Sequence, residues 1–269
     1  MNVKHRSMVV VAAALAAALA APTAAMALSG SLKLSGSTTV QPVAQLLANA
    51  YHAKNPGVKV AVAGGGSGVG IADVAAGRVN IGMSSADLTA AQKSQGLVPY
   101  AIARDALTII VNKGNGVSKL TAAQVRGIFT GSITNWKQVG GANATIIACG
   151  REASSGTYTY LKSVLLNNQN QSSRVKTYSS NGLVRNAVHA NKYAVGYVGM
   201  AYADSTVKGL ALNGVAPTRA NAYSGKYKYV RFLWYVTKGK AKGLSLDFIN
   251  YTLSKAGQKI VATEYLTLK

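Results

Sequence analysis

Short apolar runs alternate along this chain with Gly- and Ser-rich turns and with segments of helical period. Residues 32–34 and 58–62 read as strands. Between them Val43, Leu46, Leu47, Ala50 and Tyr51 recur at helix spacing, and Asn55-Pro56-Gly57 ends that helix. A second helix follows Gly64-Gly65-Gly66-Ser67-Gly68 and runs to about Ala76. Strands are predicted at 80–83, with Ser84-Ser85 as the loop, and at 106–111, where the run is strongly apolar. A helix over 122–129, a turn at 133–136, a strand at 145–148 and a loop at 150–156 come next. Tyr158, Leu161, Val164 and Leu165 mark another helix. The remaining predictions are a helix at 181–189, strands at 193–198 and 229–236, and closing helices at 245–253 and 256–265. Strand and helix in alternation, without a repeat of fixed period, predict an α/β fold.

The start of the chain has a different pattern. Lys4, His5 and Arg6 precede an unbroken apolar run over 8–21, and Ala25-Met26-Ala27 gives a small-residue cleavage pattern. The run is shorter than the roughly 20 residues of a membrane span. Residues 1–27 are therefore expected to be a signal peptide, and no Cys follows that could carry a lipid anchor. The mature chain is expected to be soluble and exported, periplasmic or secreted.

Composition narrows the class. With 49% apolar residues the chain is not disordered, and its 28 glycines do not suit a helical bundle. Its 269 residues allow one large domain or two smaller ones. One Cys and three His leave no basis for a disulfide or a metal cluster, and no cofactor is expected. The formal charge is +22, or +20 once Lys4 and Arg6 leave with the leader. The acids number seven: Asp73, Asp87, Asp105, Glu152, Asp204, Asp247 and Glu264. The bases are dispersed, without the concentrated face and stacking signature of a nucleic-acid binder, so no nucleic acid is expected. Such a charge either draws in small anions and envelope polyanions or reflects an acidic or unusual external medium.

Three loops between strand and helix carry candidate chemistry: Ser35-Gly36-Ser37-Thr38-Thr39, Gly66-Ser67-Gly68 and Ser154-Ser155-Gly156-Thr157. Glycine lets the backbone approach a ligand, and free N–H groups at a helix start favour negative charge. One such loop is explained by N-capping alone. Three in one basic chain point to a shared anion. Nucleotide motifs are absent: residues 64–70 do not fit the dinucleotide fingerprint, and neither Gly225-Lys226 nor Gly239-Lys240 ends a P-loop. His52 and His189 read as surface or packing residues and Cys149 as a small buried one, and nothing assembles a catalytic site, so no enzyme activity is expected.

At these loops the chain resembles the periplasmic phosphate-binding proteins of ABC phosphate importers. The resemblance rests on Leu34-Ser35-Gly36-Ser37-Thr38-Thr39-Val40-Gln41-Pro42, Gly64-Gly65-Gly66-Ser67-Gly68, Ile81-Gly82-Met83-Ser84-Ser85 and Arg151-Glu152-Ala153-Ser154-Ser155-Gly156-Thr157. Supporting segments are Ile133-Thr134-Asn135-Trp136-Lys137, Val195-Gly196-Tyr197-Val198-Gly199 and Gly257-Gln258-Lys259-Ile260. It implies a two-lobed type II periplasmic binding protein fold with two crossing strands as hinge. Lobe 1 would be 28–108 with 226–269, and lobe 2 would be 109–225. It also implies that a soluble monomer holds inorganic phosphate in the cleft and delivers it to an ABC permease. The implied ligand residues are Thr38, Thr39, Ser67, Ser85, Arg151, Ser155, Gly156 and Thr157.

One departure bears on selectivity. Many relatives place an Asp where this chain has Ser85, and a carboxylate there accepts the proton of phosphate while repelling sulfate. Asp105 is the expected substitute acceptor, unless it only caps or pairs with a Lys. The alternatives are a binding protein for another oxyanion, sulfate or tungstate, and a cationic surface protein that binds envelope polyanions.

Overall fold

The computed structural model describes residues 28–268, and the expected leader at 1–27 lies outside them. Among the described residues the strands are β1 (Gly30–Gly36), β2 (Val58–Gly65), β3 (Ile81–Ser84), β4 (Leu97–Asn112), β5 (Lys119–Leu120), β6 (Ile147–Arg151), β7 (Lys176–Tyr178), β8 (Ala194–Gly199), β9 (Val207–Gly209), β10 (Ala211–Leu212) and β11 (Val230–Lys238). The helices are α1 (Gln41–Lys54), α2 (Ser67–Ala75), α3 (Ala90–Ser94), α4 (Ala122–Thr130), α5 (Gly156–Val164), α6 (Asn181–Ala190), α7 (Arg219–Tyr223), α8 (Gly243–Leu253) and α9 (Lys255–Glu264).

The main sheet runs β2-β1-β3-β11-β4-β8-β6-β7, with β9 also paired to β4. It has two halves joined by β4. From Leu97 to Ala106 that strand pairs antiparallel with β11; from Leu107 to Val111 it pairs with β8. Within each half the remaining order contains parallel pairs, β1 with β2 and β3, and β6 with β7 and β8. Parallel pairs need helical crossovers, which is why helices cover the sheet faces. The chain returns alongside β4 before β11, where the Leu107 N–H donates to the Tyr229 carbonyl at 2.9 Å.

Each half has its own apolar core. Leu32, Leu34, Val43, Leu47, Tyr51, Ile81, Phe248 and Val261 pack in the first. Leu107, Ile109, Val125, Phe129, Trp136, Leu161, Val195 and Tyr197 pack in the second. The helix spacing read from Val43, Leu47 and Tyr51 is thus the buried stripe of α1, whereas Leu46 faces solvent. Trp136 donates its indole N–H to the Tyr193 carbonyl at 2.9 Å, which satisfies the one polar atom of a fully buried ring.

The short strands β5, β7, β9 and β10 are absent from the sequence expectation, and two expected strands change their bounds in ways that bear on the site. β4 begins at Leu97 rather than Ala106, because its first part carries half-exposed Tyr100 and Arg104 and a proline and does not form an apolar run. It is held as a strand by its register with β11. β6 runs from Ile147 to Arg151, not over 145–148. Gly150 and Arg151 look like loop residues locally, yet they pair with Thr177 and Tyr178. That pairing puts Arg151 at the tip of a central strand.

Close backbone approach fixes α2 against the first half. A Cβ on Gly70 would lie 2.5 Å from the Ser35 carbonyl oxygen, 2.7 Å from Gly36 Cα and 2.9 Å from the Met83 carbonyl oxygen. Backbone cannot yield as a side chain can, so only glycine fits. Gly70→Ala is expected to destabilise the fold by about 1–3 kcal/mol, the usual cost of overpacking. The denaturant midpoint of the variant measures it; an unchanged midpoint would mean α2 moves freely on the sheet.

Candidate functional site

Four helix starts meet where the two halves of the sheet face each other. α2 has Gly66 as its N-cap and no side chain capping it. α5 is capped by Ser155, whose Oγ accepts from the Tyr158 N–H at 3.3 Å. Thr38 and Thr39 form the turn leading into α1, with the Thr39 and Val40 N–H groups bonded to Ser37 Oγ. The fourth start, at α6, brings in Asn181, which is fully buried. Uncapped N–H groups and helix dipoles at such a meeting favour an anion.

The loops from the two halves touch. The Gly68 N–H donates to the Ser154 carbonyl at 2.9 Å. The Ser85 N–H donates to Ser67 Oγ at 3.0 Å, and the two serine hydroxyls are 3.4 Å apart. A Cβ on Gly156 would fall 2.3 Å from Ser67 Oγ and 2.8 Å from Ser85 Oγ. Glycine at that position lets the α5 start reach the serines. Thr39 Oγ1 and Thr157 Oγ1 are 3.0 Å apart.

Arg151 reaches this point from the end of β6. It is 1% exposed. Its Nε donates to the Tyr178 carbonyl at 3.0 Å, and its Nη2 to the Ser179 carbonyl at 2.9 Å and Thr38 Oγ1 at 3.2 Å. Its Nη1 is buried and has no partner among the described residues. A buried unpartnered donor on a cation is costly and marks a place for an acceptor. Burial pushes the guanidinium down to about 10, and the nearby Arg231 charge acts in the same direction. It remains charged at neutral pH.

Asn181 sets the direction of the threonine hydroxyls. Its Oδ1 accepts from the Gly199 N–H at 3.2 Å, which turns its Nδ2 toward Thr38 Oγ1 and Thr39 Oγ1, each at 3.0 Å. Thr38 Oγ1 thus accepts from both Asn181 and Arg151, so its own proton is left to donate. Tyr202 and Tyr265 hold the same turn by donating to the Thr38 and Thr39 carbonyls at 2.8 and 2.6 Å. Burial pushes the Tyr202 hydroxyl up to about 12, which keeps it a donor.

Asp105 is fully buried, and three hydrogen bonds engage its carboxylate. Its Oδ2 accepts from Arg231 Nε at 3.1 Å and Nη2 at 2.9 Å, and its Oδ1 accepts from the Met200 N–H at 2.8 Å. Asp105 thus pairs with a base, and its partner is Arg231 rather than the Lys named as an alternative. Ser85 Oγ, by contrast, has the Ser67 hydroxyl as its one hydrogen-bond neighbour among the described residues. Asp87 accepts from the Trp234 indole at 3.0 Å, and Thr89, not Asp87, caps α3.

Arg231 and Asn181 are the site residues that the sequence reading missed. A lone Arg inside the apolar run Val230-Arg231-Phe232-Leu233-Trp234 was the available signal, since a buried charge demands a partner. For Asn181 the signal was Ser179-Ser180-Asn181 at a helix start, the same chemistry as the three loops. His52 and His189 are exposed, each with Nδ1 against a backbone carbonyl, and Cys149 is buried with its thiol pushed up by desolvation. Among the described residues no His, Cys, Asp and Glu cluster could hold a metal, and no helix is long and apolar enough to cross a membrane.

The chain has relatives among known proteins. The family model described as the PBP superfamily domain matches residues 21–256. The Phosphate-binding protein PstS of Bacillus subtilis is 33% identical over 241 residues, spanning 88% of this chain and 79% of that protein. Its namesake in Borreliella burgdorferi is 34% identical over 242 residues, spanning 86% and 87%. Among solved structures, a candidate phosphate ABC transporter substrate-binding protein from Clostridium perfringens, crystallised with bound phosphate, superposes with a TM-score of 0.86. It is 34% identical and covers 89% of this chain and all of that one. Agreement of this extent is a statement about the whole fold and not one loop: the chain belongs to the PBP superfamily and has its type II periplasmic binding protein architecture.

Proposed function

We propose that this chain is an exported, monomeric solute-binding protein that captures inorganic phosphate between two lobes and hands it to an ABC permease. Lobe 1 comprises 28–108 with 226–269, lobe 2 comprises 109–225, and residues 1–27 direct export. Arg151 Nη1 carries the reading: a buried, unpartnered donor amid hydroxyls and helix starts. The bound phosphate of the Clostridium perfringens relative supports the choice of ligand. No step of bond making is involved. Arg151 supplies charge, and Thr38, Thr39, Ser67, Ser155 and Thr157 supply hydroxyls. The N–H groups of Gly156 and Thr157 add the α5 dipole.

Selectivity needs an acceptor for the proton that phosphate has and sulfate lacks. Ser85 Oγ has the free lone pairs for it. Asp105 serves the site through Arg231, whose guanidinium it neutralises. In a competition titration, Ser85→Ala is expected to narrow the phosphate-to-sulfate ratio. Asp105→Asn is expected to weaken both anions alike. If Asp105→Asn alone shifts the ratio, Asp105 is the direct acceptor. A wild type that prefers sulfate or tungstate would replace the phosphate reading.

Arg151→Ala is expected to weaken phosphate binding at least tenfold by calorimetry, because a hydrogen bond to a charged group is worth about 1.5–3 kcal/mol. Circular dichroism checks that the variant is folded. Full affinity in a folded variant would remove Arg151 from the site. Phosphate binding should also persist through moderate salt. Polyanion binding to the cationic surface should collapse there, so an equally steep loss for phosphate would favour a surface-charge role.

A further inference from the structure

Arg231 grips both sides of the cleft with one guanidinium. Within the first half, its Nε and Nη2 hold Asp105, its register partner across β4 and β11. Toward the second half, its Nη1 donates to the Gly156 carbonyl at 3.1 Å and its Nη2 to Thr157 Oγ1 at 3.0 Å. Both acceptors lie at the start of α5. One turn later on that helix, the Tyr160 ring lies 5.5 Å from the guanidinium, and its hydroxyl donates to the Val230 carbonyl at 2.9 Å. A base serving only to balance Asp105 would use two donors. This one also donates to the anion loop opposite, and its Nη2 lies 3.4 Å from Thr39 Oγ1 in its own half.

We infer that Arg231 is a positioning residue for anion capture, which fastens the Gly156 and Thr157 start of α5 to the first half and so slows release of the anion without touching it. The inference rests on the phosphate reading above. The Gly156 and Thr157 contacts require the halves to be together. First encounter of phosphate with a parted cleft does not use them. Their loss therefore acts on the off-rate, the usual place for affinity changes within one interface.

Arg231→Lys separates this role from charge balance. A lysine keeps a positive charge for Asp105 but lacks the planar fork that reaches Gly156 and Thr157. Stopped-flow phosphate binding is expected to show an off-rate raised at least tenfold, with the on-rate within threefold of wild type. The ligand-free melting temperature should stay within a few degrees, a pattern that a purely structural role would not give. A second variant, Asp105→Asn with Arg231→Met, removes both charges together and leaves none buried alone. It is expected to show the same faster release, and it decides the matter if Arg231→Lys does not fold. Wild-type release rates in a folded variant overturn the inference, as does a slower on-rate with unchanged release. A wild type that binds no phosphate overturns the functional reading itself, and this inference with it.

Discussion

The Asp105–Arg231 ion pair sits at the point where β4 passes from one half of the sheet to the other, and the cleft is organised around it. Asp105 is fully buried and Arg231 is 6% exposed. Taking two such charges out of water costs several kcal/mol per ion, and only good geometry with further hydrogen bonds offsets it. Here that condition is met. Asp105 accepts from Arg231 and Met200, and Arg231 donates on to Gly156 and Thr157. The pairing is exact in register, so strand alignment and charge neutralisation impose the same constraint.

The pair also decides which cation is available. With Arg231 cancelled by Asp105, Arg151 is the unneutralised guanidinium at the helix starts. Burial, with the nearby Arg231 charge acting in the same direction, holds the Arg151 guanidinium below its ordinary range. An anion between the halves relieves the burial penalty and gives the orphaned Nη1 an acceptor. The hydroxyls are prepared for the same event. Asn181, oriented by the Gly199 N–H, fills the lone pairs of Thr38 and Thr39, so that their protons point elsewhere. Polar groups fixed in advance lose little freedom when the ligand arrives.

Much of this was legible in the sequence, because helix starts are local. Gly, Ser and Thr reveal a cap or a candidate anion loop within five residues, so the loops that hold Thr38, Thr39, Ser67, Ser155, Gly156 and Thr157 could be read directly, whereas naming these residues as ligands rested on the family resemblance. Arg151 came from resemblance. What could not be read was pairing over distance. Arg231 meets Asp105 across 126 positions, and Asn181 meets Thr38 across 143. No periodicity encodes those contacts. The first part of β4 was hidden for a related reason: its strand character comes from β11, far along the chain, and not from its own apolar pattern.

The scarcity of acids fits the same division between local and long-range forces. Five of the seven carboxylates have definite polar partners: Asp73 with Ser35 and Arg78, Asp87 with Trp234, Asp105 with Arg231, Asp204 with Thr206 and Arg185, and Asp247 with Tyr51. The Ser35 and Arg78 bonds hold Asp73 below its ordinary range. At Asp204 burial pushes upward, and the Thr206 and Arg185 bonds outweigh it. Carboxylates kept for such partners leave most bases unneutralised on the surface. That surplus creates a field which attracts anions of every kind over about one Debye length, roughly 8–10 Å at physiological salt. It cannot choose among them. Inside the cleft, where Asp105 cancels Arg231, short hydrogen bonds with fixed directions replace the field, and these depend on an anion's shape and protonation.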